Sequence, residues 1–589
     1  MVLLDYLVLV GYFALMSGIG VWAMSRIKVQ EDYLLGGRGF GKLLQTFAAF
    51  GAGTGSGDPV NTARTVFTGG ASGMWSVMYW LFVTPFYWIT AVWYRRMRHL
   101  TLGDWFVERY ESKRLGAAYA VFGVIFYMVY GSMLFSAIGK VAAPLVGIDY
   151  ITLGGEQIGL EYVLVPIIGL VVLFYGIAGG LHAAYWTDLV QGLCIILLSV
   201  LLLPYGLSAL VEKFGDPATQ GLGAGFGILH AQLPANRFDL LGGEGADFTL
   251  SFLIGVVILN LVGIVIQPHF IATGGGSAKT ENDARVGLVV GNFLKRLCTV
   301  GWLLTALIAL ALYADDAVLN GDPDKVWGVT SHRLLGPGLT GLMLACLLAA
   351  LMSSIDAYMV VGSGLIVRNI YAPFIDPNAG EREYVRLARA TGAIIVGGAV
   401  LFSLSMMNVF QQLQLSWVVP VLFAAPFWAG MYWRGATTAA AWTTALFGLV
   451  VFFILPQCVE NFSVYTLVGI DVKEFSSSVQ GAMQLAPKIV LPFIVMIGTS
   501  LVTPRNSKES LDRYYAKMKT PVLPDPEEDR RRLEQSFADP SKLDHKKLWP
   551  GSSLEFDKPT VVDAVGFVGS VAACFAIVGL AYWVVGLGG

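Results

Sequence analysis

The chain has 589 residues, of which 55% are hydrophobic and only 14% are charged, with 39 Lys and Arg against 41 Asp and Glu. Soluble globular proteins carry about 25% charged residues, so soluble domains of this composition would lack a wet exterior. The same figures exclude a disordered chain, a secreted disulfide scaffold and a protein that binds nucleic acid. We therefore predict a polytopic membrane protein.

Apolar runs long enough to cross a bilayer recur along the whole chain. The hydrocarbon core is about 30 Å thick, which takes a helix of roughly 20 apolar residues. The runs are continuous rather than alternating, which favours helices over a β-barrel. They predict an all-α polytopic protein with about fourteen transmembrane helices, near residues 3–25, 41–64, 73–94, 117–145, 162–180, 184–211, 249–272, 287–313, 337–366, 388–408, 411–432, 437–456, 487–503 and 561–586.

Basic residues are confined to alternate loops. Every cluster of Lys and Arg follows an odd-numbered predicted span, as at residues 26–42 and 95–114, and the charged stretch 505–558 follows the thirteenth span. The loops at 65–72 and 146–161 are almost free of Lys and Arg. Because basic loops stay in the cytoplasm, we predict a multi-pass protein of the cell (plasma or inner) membrane with both termini outside.

Two of the predicted spans contain residues that interrupt a helix. Gly51 to Pro59 holds four glycines and a proline, and residues 260–269 include Gly263 and Pro268. Non-helical backbone at membrane depth is tolerated only where it is buried in protein or lines a cavity. Glycine used for close helix packing would explain either segment alone.

The two interruptions fall at matching places in the chain. If spans two to six form one five-helix unit and spans seven to eleven another, each interruption lies in the first helix of its unit. Such a pair points to a transporter binding site near the midplane, where unwound carbonyls suit a small cation. The hydroxyls of Ser353 and Ser354 in the ninth span could complete an oxygen shell, although paired serines often bond only to their own helix.

Asp58 is an ionisable residue inside a predicted span, which is a functional hypothesis by default. It could bind a substrate amine, hold a second cation or carry a proton. The structural alternative is a pair with Arg64, six residues further along the chain. His182 and His269 could titrate, although buried histidines that serve packing are the commoner case.

Four motifs together resemble the sodium:solute symporter family, which includes sodium/sugar and sodium/proline-like carriers. Residues 179–191 resemble the family signature of Gly-Gly followed by Thr-Asp and Gln. Residues 348–354, running on to 369–371, resemble the eighth core helix of the family. Residues 267–269 resemble the broken sixth core helix of the proline carriers, and 101–109 resemble the loop after the second core helix.

The resemblance implies the inverted five-plus-five repeat of LeuT-like carriers, flanked by additional helices. The implied divisions are an extra helix with a cytoplasmic loop (1–40), the first repeat (41–211), an external loop (212–248), the second repeat (249–432), two additional helices (433–504), a charged cytoplasmic loop (505–560) and a last helix (561–589).

The resemblance also implies two groups of binding residues. The sodium ion would be held by carbonyl and hydroxyl oxygens of Gly51, Thr54, Ala350, Ser353 and Ser354. The carboxylate of Asp188 would act in sodium coupling or release. The solute would lie beside Asp58, Asn260, Gln414, Gln267 and Lys295. The chain departs from the sugar carriers at Gly263, near their aromatic gate, and at Asp58, where they carry another polar residue.

The sequence as a whole predicts a sodium-coupled symporter that imports a small polar organic solute, an amino acid, other zwitterion or sugar-like molecule, by alternating access. Sodium is the expected coupling ion, and no other cofactor is expected. The expected partners are the solute, Na⁺ and the lipid bilayer, with no nucleic acid and no obligatory protein partner. The chain lacks HExxH and GxSxG motifs, so we do not expect an enzyme. A membrane solute sensor or regulatory module of the same fold is the alternative.

Overall fold

The computed structural model describes residues 1–24, 29–148, 150–153, 155–243, 246–459, 462–472, 475 and 477–589. The first half contains one antiparallel hairpin, β1 (Tyr150–Leu153) and β2 (Glu156–Gly159), with Tyr150 opposite Gly159. Its helices are α1 (Leu3–Met24), α2 (Gln30–Leu35), α3 (Lys42–Ala52), α4 (Gly57–Gly69), α5 (Trp75–Met78), α6 (Thr84–Met97), α7 (Leu102–Tyr110), α8 (Lys113–Val146), α9 (Glu161–Phe214), α10 (Ala224–Gln232), α11 (Leu250–Gly263) and α12 (Phe270–Thr273).

The remaining described residues are also mainly helical. The α-helices are α13 (Glu281–Tyr313), α14 (Ala317–Gly321), α15 (Val326–Leu334), α16 (Leu339–Leu365), α17 (Ala372–Phe374), α18 (Glu381–Ser405), α19 (Val409–Val418), α20 (Val421–Tyr432), α21 (Thr438–Leu449), α22 (Leu455–Cys458), α23 (Ser477–Val502), α24 (Lys508–Lys519), α25 (Pro526–Ala538) and α26 (Val561–Val585). Short 3-10 turns lie at Gly36–Arg38, Ala71–Met74, Tyr79–Phe82, Ala235–Phe238, Ile264–Ile266, Pro323–Lys325, Val464–Val468 and Pro540–Lys546, and π-helical turns at Ile366–Tyr371 and Val450–Ile454.

Ten helices in the described part are long and apolar enough to cross a membrane: Leu3–Ala23, Lys113–Val146, Gly180–Phe214, Glu281–Tyr313, Leu339–Phe374, Glu381–Ser405, Val409–Tyr432, Thr438–Cys458, Gln480–Val502 and Val561–Val585. Two shorter apolar helices are Glu161–Phe174 and Leu250–Ile266. The predicted spans at 41–64, 73–94 and 249–272 are helical but divided into shorter pieces. A total of fourteen spans therefore stays a prediction.

Helix α9 contains one non-helical residue, Gly180, which separates the predicted fifth and sixth spans. Its φ is 55°, in the left-handed region that favours glycine. A Cβ at this position would lie 3.0 Å from the Tyr33 carbonyl oxygen, so the close approach of α2 also requires glycine. The chain thus changes direction here between two apolar segments.

Two long helices form the centre of the molecule. Helix α16 packs against α1, α8, α9 and α18, and its most apolar stretch is 100% buried within the protein. Helix α13 packs against α3, α4, α6 and α9. By contrast, the most apolar stretches of α1, α23 and α26 are only 22% buried. The polar side chains in the buried stretches of α13 and α16 are therefore enclosed by protein.

The charged stretch after the thirteenth predicted span is more deeply packed than its composition indicates. The charge of residues 505–558 predicts solvated helices, which describes α25 but not α24. Tyr514 and Tyr515 of α24 are buried, with Trp105 Nε1 donating to Tyr514 Oη at 2.8 Å and Tyr515 Oη donating to the Gly430 carbonyl at 2.8 Å. The expectation was wrong for α24 because its aromatic residues cover the ends of neighbouring helices.

Glu108 connects α7 to α24. It pairs with His99, at 2.8 Å from Nε2 to Oε2, and with Lys517 of α24. Burial alone would raise the pKa of Glu108, but the His99 hydrogen bond and the Lys517 charge outweigh it and lower the pKa to about 2. Because the pKa is depressed in the folded state, the stabilisation is present above pH 4.5 and is lost as the pH falls towards about 2.

We expect Glu108→Gln to lower the stability of the protein at pH 7 by about 1 kcal/mol, because charged hydrogen bonds at a partly exposed site are replaced by neutral ones. The difference from the wild type should shrink as the pH falls from 4.5 towards 2. Thermal unfolding at pH 7 and pH 3 measures this. Glu534→Gln, at an exposed position on α25, is the control, and an equal deficit at both pH values would contradict the charge pairing.

Candidate functional site

The first predicted interruption separates α3 from α4. Helix α3 ends at Ala52 and α4 begins at Gly57, so the backbone between them leaves the helical hydrogen-bond pattern. The carbonyls of Gly51 and Ala52 accept hydrogen bonds from α16, at 3.2 Å from Ser354 Oγ and 3.1 Å from Tyr358 Oη. The unwound segment thus faces the most buried helix of the molecule.

A carboxylate from α9 joins these two elements. Ser353 Oγ donates a hydrogen bond to Asp188 Oδ1, and both side chains are buried. A Cβ added to Gly51 would lie 3.1 Å from Asp188 Oδ1 and would collide with Ser353 Oγ. Glycine is therefore required where α3, α9 and α16 meet.

The oxygen atoms at this meeting point suit an alkali ion. Gly51, Asp188, Ser353 and Ser354 supply carbonyl, carboxylate and hydroxyl oxygens, which are ligands that hard cations prefer. Thr54 Oγ1 is buried and has no hydrogen-bond partner among the described residues. Ala350 lies one turn before Ser354 on α16. The unsatisfied buried hydroxyl of Thr54 is therefore available to an ion bound at the break.

We expect Gly51→Ala to weaken sodium binding at least about ten-fold, because the added methyl group must displace Ser353 or Asp188. Sodium-dependent thermal stabilisation of the purified protein measures the change. Gly69→Ala, at the end of α4 where a Cβ would meet nothing within 4 Å, is the matched control. An unaltered sodium response in Gly51→Ala would show that sodium does not bind at this junction.

The second predicted interruption separates α11 from α12. Helix α11 ends at Gly263, a 3-10 turn follows, and α12 begins at Phe270 and packs against α3. Buried tyrosines cover the carbonyls that the break exposes. Tyr94 Oη donates to the Val265 carbonyl at 2.8 Å, and Tyr119 Oη donates to the Ile266 carbonyl at 2.5 Å.

Two glycines of α13 place Lys295 beside the first interruption. A Cβ on Gly287 would collide with Gln45 of α3, and one on Gly291 would lie 2.5 Å from the Thr46 carbonyl oxygen, so α13 approaches the α3 backbone closely. Lys295 follows one turn later on the same helical face. Its ammonium donates to the Gly53 carbonyl in the break.

Asp58 is paired with Lys295, at 3.0 Å from Oδ2 to Nζ. The same Oδ2 accepts the Gly55 backbone N–H at 2.8 Å, so the carboxylate also holds the backbone of the break. Both side chains are nearly fully buried. The alternative pairing with Arg64 was wrong. The two residues are six positions apart on α4, which places their side chains on different faces of the helix, and Arg64 instead contacts Asp324 at 3.2 Å.

The remaining predicted solute residues are only partly brought together. Asn260 is buried, and its Nδ2 donates to the Val256 carbonyl of its own helix at 2.9 Å. Gln267 is buried at the second interruption. Gln414 is not part of the Asp58–Lys295 centre in the described structure, because it lies on an exposed face of α19. Its assignment rested on position alone.

Three aromatic or charged residues at this centre were missed. Tyr358 binds the Ala52 carbonyl, and Trp80 lies beside Lys295, whose Nζ is 5.0 Å from the ring centroid. Arg296 follows Lys295 and is completely buried. The available signal was two consecutive cations inside a predicted span, which is as unusual as Asp58 itself.

Apolar helices that are interrupted beside buried oxygen atoms are typical of secondary transporters. The family model of the sodium:solute symporter family matches residues 33–448. The chain belongs to the sodium:solute symporter family, a family of transporters that couple to Na⁺.

Several characterised transporters are similar to this chain. The osmoregulated proline transporter OpuE of Bacillus subtilis is 25% identical, over 85% of this chain and 95% of the relative. The sodium/pantothenate symporter of Escherichia coli is also 25% identical, over 76% of this chain and 89% of the relative. A solved structure of a Na⁺-coupled sialic acid symporter in a substrate-bound outward-open state aligns with a TM-score of 0.67 and 15% identity, covering 86% of this chain and 99% of that one. This likeness establishes a shared fold.

Proposed function

We propose that the protein is a sodium-coupled symporter that imports a small polar organic solute by alternating access. The observation that carries the proposal is the junction of three elements at the first helix break. There the Gly51 carbonyl, the Ser354 hydroxyl and the Ser353–Asp188 pair supply oxygens from α3, α16 and α9. Family membership supports sodium as the coupling ion.

Sodium binding at this junction would favour one arrangement of the helices. An ion held by Gly51, Thr54 and Ala350 together with the two serines joins the broken helix to α16, and it shifts the population only if it binds the joined arrangement more tightly. The outward-facing arrangement would then accept solute. Asp188 accepts the Ser353 hydroxyl proton, which leaves the Ser353 oxygen lone pairs for the ion, and its carboxylate would assist release to the cytoplasm.

The solute would bind beside Asp58 and Lys295, with Asn260 and Gln267 nearby. The buried ion pair next to the unwound backbone supports an amino acid or other zwitterion, since each charge could exchange its partner for the opposite charge of the solute. The relative named for proline, which is a zwitterion, points in the same direction. A sugar-like solute is the second possibility within this proposal.

We also propose that the protein lies in the cell membrane with both termini outside. In this orientation α24 and the basic loop after α6 are cytoplasmic. The ion pairs of Arg98 with Asp529 and of Arg96 with Glu281, at 2.7 and 2.8 Å, would then hold the cytoplasmic ends together. The orientation is tested by adding a tag at each terminus of the protein and measuring the protease accessibility of the tags on intact cells.

Uptake into proteoliposomes tests the transport function. An inward sodium gradient should drive saturable accumulation of radiolabelled proline, pantothenate or another member of a panel of amino acids, sugars and carboxylates. A potassium gradient of the same size should not do so, and monensin should abolish the accumulation. Equal uptake in sodium and potassium would overturn sodium symport.

A further inference from the structure

Two consecutive cations of α13 occupy the interior beside the first helix break. Lys295 and Arg296 are 2% and 0% exposed. Both stand over the Trp80 ring, with Lys295 Nζ 5.0 Å and Arg296 Cζ 5.7 Å from its centroid. The described salt bridge at this centre joins Asp58 to Lys295. One carboxylate therefore faces two buried cations.

Arg296 is the cation left with unused donors. Its Nη1 donates to the Val77 carbonyl at 2.6 Å. Its Nε and Nη2 are buried and have no hydrogen-bond partner among the described residues. Leaving two donors of a buried guanidinium unpaired is unfavourable, so these two N–H groups point to a ligand that supplies acceptors.

The unpaired groups around the guanidinium are also mainly hydrogen-bond donors. Asp58 acts on Arg296 as a countercharge, but it is already held by Lys295. The Trp80 Nε1 and the Tyr87 hydroxyl are also buried without a partner among the described residues. A ligand here must therefore be rich in acceptors.

A carboxylate meets this requirement. Its two oxygens accept parallel N–H bonds from the planar guanidinium fork, an arrangement that a single-point acceptor does not reproduce. The full burial of Arg296 within the protein leaves no access for a lipid headgroup at the membrane surface. The ligand must therefore be small enough to enter the interior.

We propose that Arg296, with Trp80 and Tyr87, binds the carboxylate of the transported solute, so that the solute class is small organic carboxylates, including zwitterions. Lys295 connects this subsite to the helix break through Asp58 and the Gly53 carbonyl. The inference rests on the proposed transport function and narrows its solute.

Thermal unfolding of the full chain in nanodiscs tests the inference with matched acids and amides. The background salt is sodium methanesulfonate or potassium methanesulfonate. The probes are L-proline with L-prolinamide, L-lactate with L-lactamide, pantothenate with its primary amide, and chloride. We expect at least one carboxylate to raise the unfolding temperature in sodium, with its neutral-headed partner having no effect.

Variants of α13 locate the effect. Arg296→Gln should weaken binding of the active carboxylate at least about 30-fold, since removing one member of a buried charge pair has an effect of this size. Arg296→Lys should keep part of the affinity, because charge is retained without the fork. Arg285→Gln is the control, because Arg285 lies on the same helix but pairs with Asp563 at 2.5 Å.

The inference is overturned if amides stabilise as well as acids, if no carboxylate stabilises, if only chloride does, or if Arg296→Gln keeps the difference between acid and amide. The acid–amide comparison uses the wild type, so it stands even where a variant does not fold. Stabilisation by sodium alone is read in the same experiment. If it persists while the carboxylates fail, only the solute assignment falls; if it is also missing, the sodium site falls.

Discussion

Replacing Ser353 and Ser354 together by alanine is expected to lower the apparent sodium affinity at least about 100-fold. Each hydroxyl offers an oxygen at the junction of α3, α9 and α16, and losing an interaction with a charged group costs about 1.5–3 kcal/mol. The loss is specific to sodium, because neither serine contacts Asp58 or Lys295 in the described structure. Solute uptake measured against sodium concentration in proteoliposomes gives the affinity.

The same helix supplies the control for this experiment. Ser363 is also buried in α16, but its Oγ donates to the Val360 carbonyl of its own helix at 2.8 Å. Ser363→Ala should leave the sodium concentration dependence unchanged. If the double variant retains wild-type sodium activation, the oxygen junction at Gly51 is a packing feature and the coupling ion binds elsewhere.

The sequence was sufficient to locate this junction in outline. Four glycines and a proline in an apolar run make a continuous helix unfavourable, and the structure ends α3 at Ala52 and restarts at Gly57. Ser353 and Ser354 were recognisable as hydroxyls in an apolar helix. Resemblance to the family placed Asp188 beside them, and Ser353 contacts it.

Pairings between distant residues could not be read from the sequence in the same way. Arg64 is the nearest cation to Asp58 along the chain, but a helix carries residues six apart to different faces. Lys295 reaches Asp58 only because Gly287 and Gly291 let α13 approach α3. Such partners depend on the packing of helices far apart in the chain, which hydrophobic periodicity does not encode.

Interrupted segments also explain the uncertain span count. A run such as residues 73–94 is apolar enough to be predicted as one span, yet it folds as α5, a 3-10 turn and α6. The carbonyls freed by such irregular backbone are taken up by neighbours, as the Val77 carbonyl is by Arg296. Composition reports how apolar a segment is, but not where its hydrogen-bond pattern changes.

Asp58→Asn should lower the apparent affinity for solute at least about 30-fold and leave sodium affinity much less affected. The substitution leaves the Lys295 ammonium buried with the Gly53 carbonyl but without a countercharge, which is strongly unfavourable. The solute amine would lose Asp58 as its partner, and the solute carboxylate would be drawn from Arg296 towards Lys295. Concentration dependence of uptake for solute and for sodium, measured separately, distinguishes the two affinities.

A comparison with a second, partly exposed ion pair separates a binding role from a structural one. Asp324 is buried and pairs with Arg64 at 3.2 Å, so Asp324→Asn should lower thermal stability without changing solute affinity. Combining Asp58→Asn with Lys295→Met removes both charges and should recover much of the stability lost by Asp58→Asn, since the uncompensated cation is gone. Solute affinity should not recover with it. Joint recovery of stability and transport in the double variant would mean that the pair only holds α4 against α13.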